Sequence, residues 1–196
     1  MRRRDALLQA GLAVSAGILA WLGLSALEPA LAGGLAAKVI LEEAAKLLVL
    51  GAAIILGRNG PRARALLLGL VSIAVFSAAE NFAYFLAFGS PDVLSRLLWS
   101  QPVHLVSGLA WALALSSLLD DPSPRRLLPA LAFGLLALAW HLAFNLLASG
   151  PLPQAGRPGH GAAMAAAGLA NLLCLSALGR YFAQRVIIGG LLYGKR

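Results

Sequence analysis

Six apolar runs follow one another along the 196-residue chain, at about 6–27, 34–56, 63–89, 93–119, 127–148 and 162–182. Short segments rich in Gly, Pro, Asp and Arg separate them. A helix needs roughly 20 predominantly apolar residues to cross the hydrocarbon core of a bilayer, so each run is long enough for a span, the fourth, at 93–119, being too long for one straight span. The expected architecture is all-α: a polytopic membrane helical bundle of about six transmembrane helices, forming a single integral-membrane domain over 1–196. A composition of 60% hydrophobic and 12% charged residues excludes an ordinary soluble domain. The net charge of +8 therefore reads as basic cytoplasmic loops rather than a nucleic-acid surface. The lone Cys174 excludes an intrachain disulfide and, within an apolar run, faces lipid or core.

Two boundaries have competing readings. The start, Met1-Arg2-Arg3-Arg4-Asp5 followed by an apolar run, resembles a signal peptide, and Ala30-Leu31-Ala32-Gly33 has the small residues of a cleavage site. The run, at about 22 residues, is long for a signal core and right for a span, which favours a retained first helix. In the fourth run, Pro102 either opens a new span after an interfacial helix or sits in one long kinked helix. With the N-terminus inside, twelve Lys and Arg fall in inside segments and two, Arg96 and Arg157, outside. That asymmetry predicts six spans in the cell membrane with both termini cytoplasmic.

Ionisable residues interrupt four successive runs: Glu42, Glu43 and Lys46 in the second, Glu80 with Asn81 in the third, His104 in the fourth, and His141 with Asn145 in the fifth. Such residues cost ~2.5–3.5 kcal/mol each on insertion scales and usually mark paired, functional sites. Under the inside topology, Glu43, Glu80 and His141 all lie roughly 12–14 Å below the outer surface, at 1.5 Å per residue. His104 joins them if the fourth helix is continuous and is shallower if the helix begins at Pro102. Scattered defects would not share a depth, so the four helices are expected to converge on a water-containing pocket. Glu42 and Lys46, i and i+4 with the acid first, are expected to pair, leaving Glu43 for another role. His141 and Asn145 share a face, as do Phe76, Glu80 and Tyr84.

Carboxylates and imidazoles around water suit hydrolysis: a carboxylate as general base, an Asn as oxyanion donor, and a metal if His and Glu hold one. The spacing leaves metal-assisted and metal-free hydrolysis open. The other residues have plainer readings. Lys46 is a counter-ion; Asn81 and Tyr84 serve as structural hydrogen-bonders as readily as site members. Trp21, Trp99, Trp111 and Trp140 are packing or interface anchors, His160 is solvated in a Gly/Pro loop, and Asn171 makes a helix–helix hydrogen bond. A proton-coupled transporter also uses intramembrane Glu and His, but only Pro102 hints at the broken helices expected of one.

The motifs Glu42-Glu43-x-x-Lys46, Phe76-x-x-x-Glu80-Asn81, His104-x-x-x-Gly108 and His141-x-x-x-Asn145, one per helix and in this order, resemble the PrsW family of intramembrane proteases. That family is related to CAAX prenyl proteases and bacteriocin-processing proteins; Glu80, where the prenyl-protease relatives would carry His, favours PrsW. The resemblance spans about Leu41 to Asn145, within core motif helices of about 34–149. It implies a peptidase that cuts a membrane-associated protein substrate, in some members an anti-sigma factor. It also implies that Glu42 and Glu43 activate water, that Glu80, His104 and His141 complete the site or bind a metal such as Zn2+, and that Asn145 orients or donates. A catalytically silent immunity or scaffold relative is the alternative that intact motifs argue against.

Overall fold

A computed structural model describes residues 3–27, 34–57, 61–88, 91–120, 123–149 and 160–188. These form six α-helices and no strand: α1 (Arg3–Leu27), α2 (Leu35–Leu56), α3 (Arg62–Phe88), α4 (Pro91–Asp120), α5 (Pro124–Ser149) and α6 (His160–Phe182). A π-helical turn, Ala183–Ile188, continues α6 and buries Val186. Five helices are long and apolar enough to cross a membrane; α2, with Lys38, Glu42, Glu43 and Lys46, carries too much charge to count among them. The protein is thus a polytopic helical bundle, and its most polar helix is the one that holds the site.

Local chemistry explains the ends. Pro91 and Pro124 each occupy a first helical position, where the missing N–H costs nothing and the fixed φ suits the helix. The Gly34 carbonyl accepts the Ala37 and Lys38 amides at the start of α2, and the Gly57 amide donates to Ala53 at its end. Pro102 lies inside a continuous α4, so the long-helix reading is the one observed and His104 is in register with its neighbours. α6 begins at His160, two residues before the expected span. The cleavage-like stretch Ala30–Gly33, residues 58–60 of the second turn, residues 121–122, most of the Gly/Pro loop (150–159) and the basic tail at 189–196 lie outside the described residues.

Helices α2, α3, α4 and α5 form a ring, with α1 against α3 and α2, and α6 against α4. Close approach of α1 to α3 requires Gly17, where a Cβ would run into the Ser72 carbonyl and Val75. Trp140 Nε1 on α5 donates to Asn171 Oδ1 on α6 at 2.7 Å, the helix–helix bond expected of Asn171. The apolar core gathers Leu50, Leu66, Ile73, Leu109, Ala112, Leu113, Phe182 and Val186. In α2 it follows the charged stretch and in α3 it precedes Glu80, so in these antiparallel neighbours the core fills one end of the ring and the polar residues the other.

Candidate active site

The buried face of α2 reads Val39, Glu42, Glu43, Lys46, Leu50, spacings of three and four that place both acids and the lysine inside the ring. Uncompensated charge there would be prohibitive, and each group is met by a partner from another helix.

Glu43 is the most tightly held. Its Oε1 lies 2.5 Å from Lys46 Nζ and 2.6 Å from His141 Nδ1, and its Oε2 accepts Trp111 Nε1 at 2.7 Å. Lys46 Nζ donates also to Ser107 Oγ at 2.7 Å, and Ser107 Oγ donates to the His104 carbonyl. The expected Glu42–Lys46 pair is therefore not the one formed. Lys46 is a counter-ion, as expected, but to Glu43, because the α2–α4 contact fixes its head group beside Ser107. Glu42, about 100° around the helix, instead has Lys38 Nζ at 3.8 Å. Lys38 in turn donates to Tyr84 at 3.4 Å, linking α2 to α3.

The two histidines meet edge to face, ring centroids 4.8 Å apart. His141 Nε2 lies 3.2 Å from Glu42 Oε2 and His104 Nε2 lies 3.2 Å from Glu80 Oε2. Phe76 packs on His104, so the stripe Phe76, Glu80, Tyr84 does face the other helices. Glu42, His104 and His141 each bring one donor atom within 4.8 Å of the others, and all three are buried. Glu80 stands beside this trio rather than in it; its side chain is 15% exposed against 1–2% for the other two acids. Asn145, half-buried one turn beyond His141, makes none of these contacts.

Ser107 and Trp111 had no place in the sequence reading of the site. A signal existed: His104, Ser107 and Trp111 are spaced three and four apart, one face of α4. Gln101 belongs to the same stripe. It donates to the Ala74 carbonyl at 3.1 Å and accepts from Ser77 and Asn81 at 2.8 and 3.2 Å, tying α3 to α4 beside Glu80. Asn81 thus takes the structural role left open for it.

Paired acids, imidazoles and ammoniums in one buried layer of four helices can bind, polarise and deprotonate water. No curated protein and no solved structure matches the chain. Residues 6–173 match the family described as PrsW family intramembrane metalloprotease, extending the likeness from the four motif helices to α1 and most of α6. With its motifs converging as such chemistry needs, this chain belongs to the PrsW family of intramembrane proteases.

Proposed function

We propose that the protease is metal-dependent, that Glu42, His104 and His141 hold a zinc ion, and that Glu80 takes the proton from the attacking water. The observation that carries this is the contact of His141 with two carboxylates. Its Nδ1 is 2.6 Å from Glu43, whose oxygens are otherwise engaged by cationic and N–H donors, so the Nδ1 proton belongs in that hydrogen bond. The Nε2 lone pair then faces Glu42 Oε2 at 3.2 Å. Two acceptors do not sit so close without a proton or cation between them.

The residues fit zinc in three respects. Two imidazoles and a carboxylate are a common catalytic set for Zn2+. Bond lengths of ~2.1 Å put tetrahedral ligands about 3.4 Å apart, near the observed 3.2 Å between His141 and Glu42. By formal charge, three carboxylates (Glu42, Glu43, Glu80) against two lysines (Lys38, Lys46) leave one negative charge in excess in the cluster, the imidazoles counted as neutral. Beyond these, His104 Nδ1 is buried without a hydrogen-bond partner among the described residues, while Glu80 steadies its other nitrogen.

Zinc bound there would polarise the scissile carbonyl and acidify bound water. Glu80, the most exposed of the three acids, accepts the water proton and passes it to the leaving amine. Glu43 holds His141, and Lys46 holds Glu43. Asn145 lies on the His141 face of α5, where it would donate to the carbonyl oxygen once substrate enters. The substrate is a membrane-associated protein; the resemblance implies an anti-sigma factor for some members of the family. The basic-residue asymmetry supports a cell-membrane topology with both termini cytoplasmic, in which the site would lie in the outer half of the bilayer.

The test is the zinc content of detergent-purified protein, alongside cleavage of a membrane-anchored reporter peptide. Wild type should carry close to one zinc and cleave; His104→Ala/His141→Ala should lose both. Active protein with no metal, or a double variant that cleaves normally, overturns the reading.

A further inference from the structure

Trp111 reaches the site from outside the charged motifs. Its indole Nε1 donates to Glu43 Oε2 at 2.7 Å, while Glu43 Oε1 engages His141 Nδ1 at 2.6 Å. The Trp111 ring lies against α5 at Gly134. A Cβ built there would meet Trp111 Cζ3 at 2.9 Å, Cη2 at 3.2 Å and Cε3 at 3.8 Å, the first closer than real contacts allow. Gly134 and His141 are seven residues apart, two turns, on the same side of α5. Ala137 between them is fully buried, so this face packs closely on its neighbours. The indole therefore occupies a notch in the very helix that carries His141, while its N–H fixes the carboxylate that sets the His141 ring.

From this geometry we infer that Trp111 is a positioning residue, seated by Gly134, which orients Glu43 and through it aims His141 Nε2 at the Glu42 side of the site. Glu43 has two oxygens and three donors. Lys46 and His141 share Oε1, and Trp111 alone among the described residues takes Oε2. Without that third anchor the carboxylate rotates about its last torsion, a broad two-fold well, and the His141 ring follows it. Glu43, one step behind the ligand His141, is the kind of partner whose removal changes metal affinity ~10–100-fold, and Trp111, one step further back, acts through it and belongs at the low end of that range. The inference rests on the zinc reading for its effect on affinity; the tautomer and orientation of His141 do not depend on it.

Two measurements separate the claims. The first is zinc affinity, from competition with a chelator, for wild type, Trp111→Phe, Glu43→Gln and the double variant, with Trp140→Phe as control. Trp140 also loses an indole N–H bond, but to Asn171 on α6. Trp111→Phe should bind zinc ~10-fold more weakly; Trp140→Phe should match wild type. The double variant should be no weaker than Glu43→Gln, because Trp111 acts through Glu43. Wild-type affinity in Trp111→Phe, or losses that multiply in the double variant, overturns the inference.

The second measurement is nitrogen NMR of labelled histidine in the metal-free protein. The His141 Nδ1–H signal should shift in Trp111→Phe and in Gly134→Leu, and stay fixed in Trp140→Phe. If wild type binds no zinc, the metal reading falls and the NMR alone decides: a shifted signal supports the positioning role and an unmoved one sinks it. Should Gly134→Leu fail to fold, Trp111→Phe, which keeps an aromatic ring in the notch, still decides.

Discussion

Lys46 and Glu43 form an ion pair within one helix, three residues apart, with Nζ and Oε1 separated by 2.5 Å and both side chains only 1% exposed. The lysine spends a second donor on Ser107 of α4, and the carboxylate accepts from Trp111 of α4 and His141 of α5. The pair is the joint at which three helices meet. Removing one partner of a buried pair costs ~3–5 kcal/mol, since the other is left charged and unmatched. Lys46→Met should accordingly destabilise the protein by that amount in reversible unfolding from mixed micelles. Glu43→Gln added to it should recover most of the loss. A cost below ~1 kcal/mol for Lys46→Met would show that the charge is matched from elsewhere.

The division of labour among the acids separates binding from turnover. Glu80→Gln should lower kcat ~100-fold or more even with zinc saturating, the cost expected if Glu80 is the general base, and, because Glu80 also steadies His104, weaken zinc binding ~10-fold. Glu42→Gln should lose zinc as well. Zinc affinity and kcat measured on the same preparations check both. Full turnover by Glu80→Gln would transfer the proton to another group.

Gln101 stitches α3 to α4 through the Ala74 carbonyl, Ser77 and Asn81. Interhelical hydrogen bonds in membrane proteins average ~0.6 kcal/mol. Gln101→Leu removes three and strands polar partners, so it should cost about 2 kcal/mol of stability in the same unfolding assay, most of it recovered if Ser77 and Asn81 are also made apolar. A neutral Gln101→Leu would mean that water replaces the amide.

Twelve basic residues against two fix an expected orientation. A reporter enzyme active only outside the cytoplasm should be active when fused after Gly156 and inactive when fused after Arg196. The reverse pattern would put the catalytic layer in the inner half of the bilayer and exclude an extracytoplasmic cleavage.

Much of this was legible from the residues in order. The apolar runs place six helices to within a few residues, because a membrane span is long and its composition extreme. The rarity of charge inside such runs singled out Glu42, Glu43, Glu80, His104 and His141, and their equal depth predicted one layer. Asn171 was read correctly as a hydrogen bond between helices.

Partner choice was a different matter. The i,i+4 rule pairs Glu42 with Lys46, but the lysine goes to Glu43 because Ser107, 61 residues away, anchors its head group. Trp111 looked like packing and is also a donor to a carboxylate on another helix. Pro102 left open where α4 begins, and only the bundle shows one unbroken helix. The sequence by itself determined which helices exist, how far along each helix its polar groups lie and which face of each helix they occupy, since those follow from a rise of 1.5 Å and 3.6 residues per turn. The tertiary structure decided which carboxylate meets which imidazole, since that depends on how each helix is rotated and packed against its neighbours, and no local spacing encodes it.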